Sequence, residues 1–309
     1  MKALLFPGQG SQSVGMVKEF HNEFKIVKSI FEEADDNLKF NLSKIILEGP
    51  EEDLKLTKNT QPAILTASFS IFEVLKKEFN YDFDKVKFHA GHSLGEYSAL
   101  LCAEALKFSD TIKLVYERGL AMQEAVPVGK GAMLAIINTP VNELEKILKE
   151  IKTDKEIIEI ANDNNNSQII VSGEINPINK LQSYCQNNKI KNILLPVSAP
   201  FHCSLMKAAS DRMEDKINNT VFKKPKKEII VNVNATPCSS PDEFKKLLIK
   251  QIFSRVRWRE SIIYMIENGV NEFLEIGPGK VLTGLMRRIS KDTKNFSINS
   301  ISDIKSINV

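Results

Sequence analysis

The chain has 309 residues, a formal net charge of +3, and 42% hydrophobic and 26% charged residues, as expected of a globular protein with one large domain or two smaller ones. The small net charge, without basic residues interleaved with aromatics, argues against a nucleic-acid partner. The sequence shows neither the roughly 18 consecutive apolar residues of a membrane span nor a signal peptide, so we expect no membrane association.

The N-terminal part of the sequence alternates a short strand with helices. Lys2–Phe6 is an apolar run that predicts a buried strand, and residues 16–60 predict interrupted helices. Residues 61–79 place apolar side chains at a helical period, which indicates a helix with one buried face. This alternation favours an α/β fold with a parallel sheet at its core.

The pentapeptide Gly91-His92-Ser93-Leu94-Gly95 has the pattern G-x-S-x-G. It follows a short apolar stretch at 86–90 and precedes a helix predicted to run to about Leu106, which is the context of a nucleophile elbow. The glycines allow neighbouring backbone to come close. The helix start behind Ser93 supplies free N–H groups where an oxyanion would form. The pattern therefore predicts acyl transfer through an ester of Ser93.

The next predicted helix carries a charge on its buried face. Ser109 is predicted to cap this helix, and Leu114, Arg118 and Met122 recur at i, i+4 and i+8 on its inward stripe. A buried guanidinium needs a partner. The spacing leaves two interpretations open, namely an internal salt bridge with a nearby glutamate and the recognition of a carboxylated acyl group.

The middle of the chain has a different pattern. It predicts strands at 132–137, 156–161, 168–172 and 192–197 and helices at 141–151 and 177–185. This βαββαβ order is typical of a ferredoxin-like unit, which we place at 127–197 as an insertion into a large domain formed by 1–126 and 198–309. The asparagine-rich stretch 162–166 is predicted to be a loop.

The remainder returns to the large domain, with strands predicted at 228–233 and 272–276. The last twenty residues predict a final strand or a frayed tail. The basic run 223–227 predicts a solvated loop, with a docking patch for an acidic partner as the alternative.

A serine nucleophile needs a base, and the chain has four histidines. His92 is adjacent to Ser93, so its side chain should point elsewhere. His202 follows the inserted unit, where the returning chain would line a cleft, and we favour it as the base over a purely structural histidine. The group that orients His202 stays open: a loop acid such as Asp163 and a backbone carbonyl are both candidates.

The four cysteines have neither disulfide-framework nor zinc-like spacing. They are Cys102, Cys185, Cys203 and Cys238. We therefore expect no metal site and a reduced, cytoplasmic protein.

Six motifs in order resemble the malonyl-CoA:acyl carrier protein transacylase family of type II fatty acid synthesis, from about residue 3 to about residue 285. They are Phe6-Pro7-Gly8-Gln9-Gly10-Ser11-Gln12, Thr60-Gln61-Pro62-Ala63, Gly91-His92-Ser93-Leu94-Gly95-Glu96-Tyr97, Glu117-Arg118-Gly119, Pro200-Phe201-His202 and Glu275-Ile276-Gly277-Pro278-Gly279.

The resemblance implies an α/β-hydrolase-like large domain with a ferredoxin-like insertion, and it assigns roles by residue. It implies Ser93 as nucleophile and His202 as base, and Arg118 as the ligand of the malonyl carboxylate. It implies an oxyanion hole of the Gln9 and Leu94 amides, and a Gln251 carbonyl that orients the histidine. Gln61 and Asn162 match polar positions near the cleft, and Phe201 matches the malonyl-selective type.

The implied activity is transfer of malonyl from malonyl-CoA to the phosphopantetheine thiol of acyl carrier protein, with ping-pong kinetics. The resemblance implies acyl carrier protein as partner and no permanently bound cofactor. No motif specifies the oligomeric state, and we expect a monomer. A thioesterase with water as acceptor and a non-catalytic synthase subunit are the rival classes.

Overall fold

The computed structural model describes residues 1–197 and 199–307. The strands in this part are β1 (Lys2–Phe6), β2 (Val86–Gly91), β3 (Gly131–Ile137), β4 (Ile158–Asn165), β5 (Gln168–Glu174), β6 (Asn192–Leu194), β7 (Glu228–Ile230), β8 (Pro237–Cys238), β9 (Glu272–Ile276) and β10 (Lys294–Ile298). The helices in this part are α1 (Lys18–Glu23), α2 (Lys25–Leu38), α3 (Leu42–Glu48), α4 (Glu51–Lys55), α5 (Thr57–Lys77), α6 (Gly95–Cys102), α7 (Phe108–Glu124), α8 (Val141–Ile151), α9 (Ile175–Asn187), α10 (Lys207–Asn219), α11 (Pro241–Gln251), α12 (Trp258–Glu267), α13 (Val281–Met286) and α14 (Ile301–Lys305).

The larger sheet has the order β10-β9-β1-β2-β7-β8. Its pairs are parallel except for β8, which runs antiparallel to β7. The register pairs Phe6 with Gly91, so the loop after β1 and the turn after β2 leave the sheet side by side. In open parallel sheets this edge, at the carboxyl ends of the strands, is where sites are built.

Helices cover both faces of this sheet. Leu4 and Phe6 pack into one hydrophobic core with α5, while Ala3 and Leu5 pack into a second core with α12. Because side chains alternate along a strand, a continuously apolar strand such as β1 is buried on both faces. The result is a three-layer arrangement built around the parallel sheet of the predicted α/β fold.

The smaller sheet is antiparallel, with the order β4-β5-β3-β6. Helices α8 and α9 pack on it through a third core that includes Leu134, Ile147 and Leu181. The order β3-α8-β4-β5-α9-β6 is the predicted βαββαβ pattern, and the predicted fold class is confirmed by similar solved structures. The limits at 127 and 197 stay a prediction, and Ser198 lies outside the described residues.

Some predicted element limits are wrong. The stretch 162–166 is not a loop through its length, because β4 continues to Asn165 and pairs with β5 across two register shifts. These bulges give the polar side chains places outside the regular ladder. Helix α7 begins at Phe108 after an extended Lys107, so Ser109 lies inside the helix and does not cap it. The strands predicted to end at 197 and 233 end at Leu194 and Ile230.

The predicted final strand is present as β10, and a short helix, α14, follows it. Among the described residues we find no helix with both the length and the apolar character needed to span a bilayer.

Candidate active site

The turn between β2 and α6 presents Ser93 in an uncommon backbone conformation. Its φ is 55°, in the left-handed region that non-glycine residues seldom occupy. A Cβ added at Gly91 would overlap the backbone of Gly95, and one added at Gly95 would overlap the carbonyl oxygen of Phe6. Both glycines are therefore needed for close backbone approach, and the turn has the geometry of a nucleophile elbow.

Ser93 and His202 are in hydrogen-bond contact. The Ser93 Oγ lies 2.7 Å from His202 Nε2, and His202 Nδ1 lies 3.0 Å from the backbone carbonyl oxygen of Gln251. A carbonyl only accepts hydrogen bonds, so the hydrogen-bond network assigns the ring proton to Nδ1 and leaves Nε2 free to accept from Ser93. Of the two candidates for orienting the imidazole, the backbone carbonyl is the one that contacts it.

Asp163 does not contact His202. Its buried carboxylate accepts hydrogen bonds from Arg255 Nη2 at 2.7 Å and from Arg259 Nη2 at 2.8 Å. These bonds join β4 of the smaller sheet to α12 and the segment before it. The interpretation of Asp163 as the acid of a triad is therefore wrong, because two arginines occupy its oxygens.

Arg118 projects from α7 toward Ser93 and is 1% exposed. Together with Ser93, His202 and Gln251 it forms a hydrogen-bonded cluster, the active-site cluster. Arg118 Nη1 donates to Gln61 Oε1 at 2.7 Å, and its Nη2 donates to Gln251 Oε1 at 3.0 Å and to Ser93 Oγ at 3.1 Å. All three acceptors are neutral. Within the described residues no carboxylate oxygen comes within 4.0 Å of the guanidinium, so the internal salt bridge is not found there. A buried cation without an ion pair suits an anionic ligand.

The electrostatics of the cluster keep His202 neutral. Burial, followed by the nearby charge of Arg118, lowers the pKa of His202 to about 3. Burial also lowers the pKa of Arg118. Because a base must be unprotonated to accept a proton, His202 is in its competent form throughout the physiological pH range.

The backbone amides of Gln9 and Leu94 belong to the two loops that meet at the elbow. Gln9 follows β1, Leu94 precedes the first residue of α6, and a hydrogen bond of 3.0 Å from His92 N to Phe6 O ties the two loops together. Neither the Gln9 nor the Leu94 amide donates a hydrogen bond to another residue in the part of the chain that the structure describes. Amides of this kind can stabilise an oxyanion.

The remaining predicted residues differ in how directly they contact Ser93, His202 and Arg118. Gln61 is a direct partner of Arg118, and Phe201 is buried next to His202 in the chain. Asn162 is buried on β4 and its backbone bridges to Val256, but no hydrogen bond of its side chain to a described residue is found. As predicted, His92 turns away from Ser93, and its Nε2 lies 2.9 Å from Asn164 Oδ1.

Sequence reasoning missed two members of the cluster, Asn232 and Glu96. Asn232 Oδ1 accepts from the Ser93 amide at 2.8 Å, and its Nδ2 donates to the Gly91 carbonyl at 2.7 Å. Glu96 is fully buried in the first turn of α6, and burial raises its pKa to about 7. The available signal for Asn232 was its place just beyond a parallel strand, where polar residues gather around sites.

The cluster contains no evident metal site. Among the described residues, no group of three His, Cys, Asp or Glu side chains could hold a metal ion. The four cysteines are free and buried.

Comparison with known proteins identifies close relatives over nearly the whole chain. The family model of the acyl transferase domain matches residues 3–306. A malonyl CoA-acyl carrier protein transacylase of Bacillus subtilis (strain 168) is 39% identical over 305 residues, covering 98% of this chain and 95% of the relative.

Two solved structures are similar to the fold described here. An acyl-carrier-protein-S-malonyltransferase from Bartonella henselae has a TM-score of 0.96 and 42% identity, covering 99% of this chain and 98% of that one. A malonyl-transacylase in complex with a type II PKS acyl-carrier protein has a TM-score of 0.94 and 37% identity, covering 99% and 98%.

Proposed function

The chain belongs to the acyl transferase domain family, and on that premise we propose that it transfers malonyl from malonyl-CoA to the phosphopantetheine thiol of acyl carrier protein. The observation that carries the proposal is the buried Arg118, whose Nη2 lies 3.1 Å from Ser93 Oγ and whose partners are all neutral. A guanidinium fork binds a carboxylate through two parallel hydrogen bonds. A cation so placed selects an acyl group that carries its own carboxylate.

In the first half-reaction Arg118 binds the malonyl carboxylate and so directs the thioester carbonyl at Ser93. His202 Nε2 takes the Ser93 proton as Oγ attacks the carbonyl carbon. The Gln9 and Leu94 amides stabilise the oxyanion of the tetrahedral intermediate. The carbon–sulfur bond then breaks, and the CoA sulfur leaves with the proton from His202. A malonyl ester of Ser93 remains.

The second half-reaction reverses these steps with a different thiol. His202 removes the proton from the phosphopantetheine thiol, and the sulfur attacks the malonyl-serine carbonyl. The same two amides stabilise the second oxyanion. Ser93 leaves as an alkoxide and recovers its proton from His202, so ping-pong kinetics are expected.

The Phe201 ring supports selection of malonyl over its α-methyl homologue. It is buried directly beside His202 in the chain, where a bulky side chain would fill the space of the extra methyl group. One methyl group changes discrimination by only about 1–3 kcal/mol. Phe201 is therefore a secondary determinant beside Arg118.

Acyl carrier protein is the partner we propose, and fatty acid synthesis is the process supplied. A similar solved structure, of a malonyl-transacylase bound to a type II PKS acyl-carrier protein, supports a carrier-protein acceptor. A monomeric, cytoplasmic protein without a permanently bound cofactor stays a prediction from the sequence.

The test is intact-protein mass spectrometry after mixing with malonyl-CoA, acetyl-CoA and methylmalonyl-CoA in competition. We expect a single malonyl adduct that is absent in Ser93→Ala and that carrier protein, but not water, discharges. An adduct that water clears quickly would make the protein a thioesterase. Absence of any adduct on the intact protein would indicate a non-catalytic subunit.

A further inference from the structure

The Glu96 carboxyl group lies beneath the nucleophile elbow and takes part in no step described above. Its Oε2 accepts a hydrogen bond from the Asn232 amide at 2.8 Å and another from Gln251 Nε2 at 2.9 Å. We propose that Glu96 is a positioning residue that fixes Gln251 and Asn232, and through them holds His202 and Ser93 in the geometry for proton transfer. This inference rests on the proposed function.

Gln251 is the first of the two intermediaries. It is the last residue of α11, and its backbone carbonyl is the group that accepts from His202 Nδ1. Its side-chain Nε2 donates to the Ser93 carbonyl at 3.1 Å as well as to Glu96. A turn after the helix holds the Gln251 carbonyl, which also accepts from the Ser254 amide at 3.4 Å, and the side chain adds its own bond to Glu96 at 2.9 Å. The bond to Glu96 therefore anchors the residue whose carbonyl sets the tautomer of His202.

Asn232 is the second intermediary. Its side chain bonds both to the Ser93 amide and to the Gly91 carbonyl, on either side of the elbow. These two bonds hold the backbone of Ser93 at its φ of 55°, a conformation that persists only where the surroundings fix it. Glu96 in turn accepts from the backbone amide of Asn232 and so fixes the residue that clamps the elbow.

The length of the Glu96 side chain matters more than its charge in this arrangement. One oxygen accepts both hydrogen bonds, and the amide oxygen of glutamine can do the same. Aspartate is shorter by one methylene group and cannot reach both donors. Since burial raises the pKa of Glu96 to about 7, a neutral glutamine also resembles the protonated form of the native side chain.

The experiment compares Glu96→Asp and Glu96→Gln with a matched control, Glu275→Asp. Glu275 is equally buried and accepts from two backbone amides, those of Leu282 at 2.9 Å and Thr283 at 2.7 Å. Its side chain forms no hydrogen bond with Glu96, Asn232 or Gln251 in the part of the chain that the structure describes. Rapid quench with mass spectrometry gives the rate constant for malonylation of Ser93 and the malonyl-CoA concentration at half-saturation. NMR gives the position of the His202 Nδ1 proton.

We expect Glu96→Asp to lower the rate constant roughly 10- to 100-fold, because small displacements of reacting groups have effects of this size. The half-saturating malonyl-CoA concentration should change little, since Gln61 still holds Arg118, and the Nδ1 proton signal should shift or broaden. Glu96→Gln should behave like wild type. Glu275→Asp should lower the thermal stability without changing the rate constant or the Nδ1 signal.

A wild-type rate constant in Glu96→Asp would overturn the inference. So would a rate in Glu96→Gln as low as in Glu96→Asp, or an equal loss in Glu275→Asp. If wild type itself forms no malonyl adduct, the proposed function fails separately. In that event the Nδ1 signal decides alone, and an unchanged signal in Glu96→Asp overturns the positioning role.

Discussion

Replacing Arg118 with alanine tests the origin of substrate selection. The guanidinium is buried and makes hydrogen bonds only to the neutral groups of Gln61, Gln251 and Ser93. A malonyl carboxylate would replace some of these contacts with two charge-assisted hydrogen bonds, each worth about 1.5–3 kcal/mol. Their sum of about 3–6 kcal/mol corresponds to a loss of roughly 10²- to 10⁴-fold in kcat/KM for malonyl-CoA.

The Arg118→Ala substitution should raise the rate of acylation by acetyl-CoA relative to that by malonyl-CoA. Acetyl-CoA offers no carboxylate, and in wild type it leaves Arg118 hydrogen-bonded to Ser93 Oγ. Removal of the guanidinium frees that oxygen, so Arg118→Ala should gain preference for uncharged acyl groups. His202 stays buried, and loss of the neighbouring cation leaves burial as the cause that keeps its pKa low, so the base remains neutral.

The assay is acylation by malonyl-CoA and acetyl-CoA in competition, read by mass spectrometry, with thermal unfolding to verify the fold. Arg118→Lys is the matched control, because it keeps the charge but lacks the planar fork and should lose less malonyl transfer than the alanine variant. If Arg118→Ala prefers malonyl over acetyl as strongly as wild type does, Arg118 does not bind the carboxylate.

Three further predictions concern the base, the elbow and the smaller sheet. Because burial and Arg118 lower the pKa of His202 to about 3, kcat/KM for acylation should stay level as the pH falls from about 8 to about 5; a decline centred on the ordinary histidine pKa of 6.5 would contradict this. Gly95→Ala forces a Cβ against the Phe6 carbonyl oxygen and should lower the free energy of unfolding in urea by about 3 kcal/mol. In the control Gly284→Ala the added Cβ meets no atom within 4 Å, so this variant should raise the free energy of unfolding by about 0.5–1 kcal/mol. Equal stabilities of the two variants would refute the steric argument. Asp163→Asn weakens the bonds to Arg255 and Arg259 and should cost roughly 1.5–3 kcal/mol of stability without slowing acylation; a loss of rate as large as that of His202→Ala would show that Asp163 orients the base.

The elbow and the buried arginine were predictable because their signals are local. The G-x-S-x-G spacing specifies a tight strand-to-helix turn, and a charge within an apolar stripe is visible at helical spacing around Arg118. The βαββαβ order was predictable for the same reason, since each of its strands and helices shows its own hydrophobic periodicity within a short stretch of sequence.

The support beneath the elbow was not predictable from local patterns. The bonds from Asn232 to Glu96 and from Ser93 to Asn232 join residues 136 and 139 positions apart. The prediction of a loop at 162–166 was wrong for a different reason. Asparagine favours turns, but on β4 the side chains of Asn164 and Asn165 find partners in His92 and Ser167, so tertiary contacts outweigh the local preference.

The position of β1 has a consequence for synthesis on the ribosome. This first strand lies at the centre of the larger sheet, between β2 and β9, and β9 spans Glu272–Ile276. The smaller sheet draws all its strands from the segment between Gly131 and Leu194, so it can pair completely while the C-terminal third of the protein is still untranslated. Non-local parallel pairing must wait for both partners to emerge. The nascent chain therefore carries Ser93 while a further 158 residues are added, before both His202 and the Gln251 carbonyl that orients it are available.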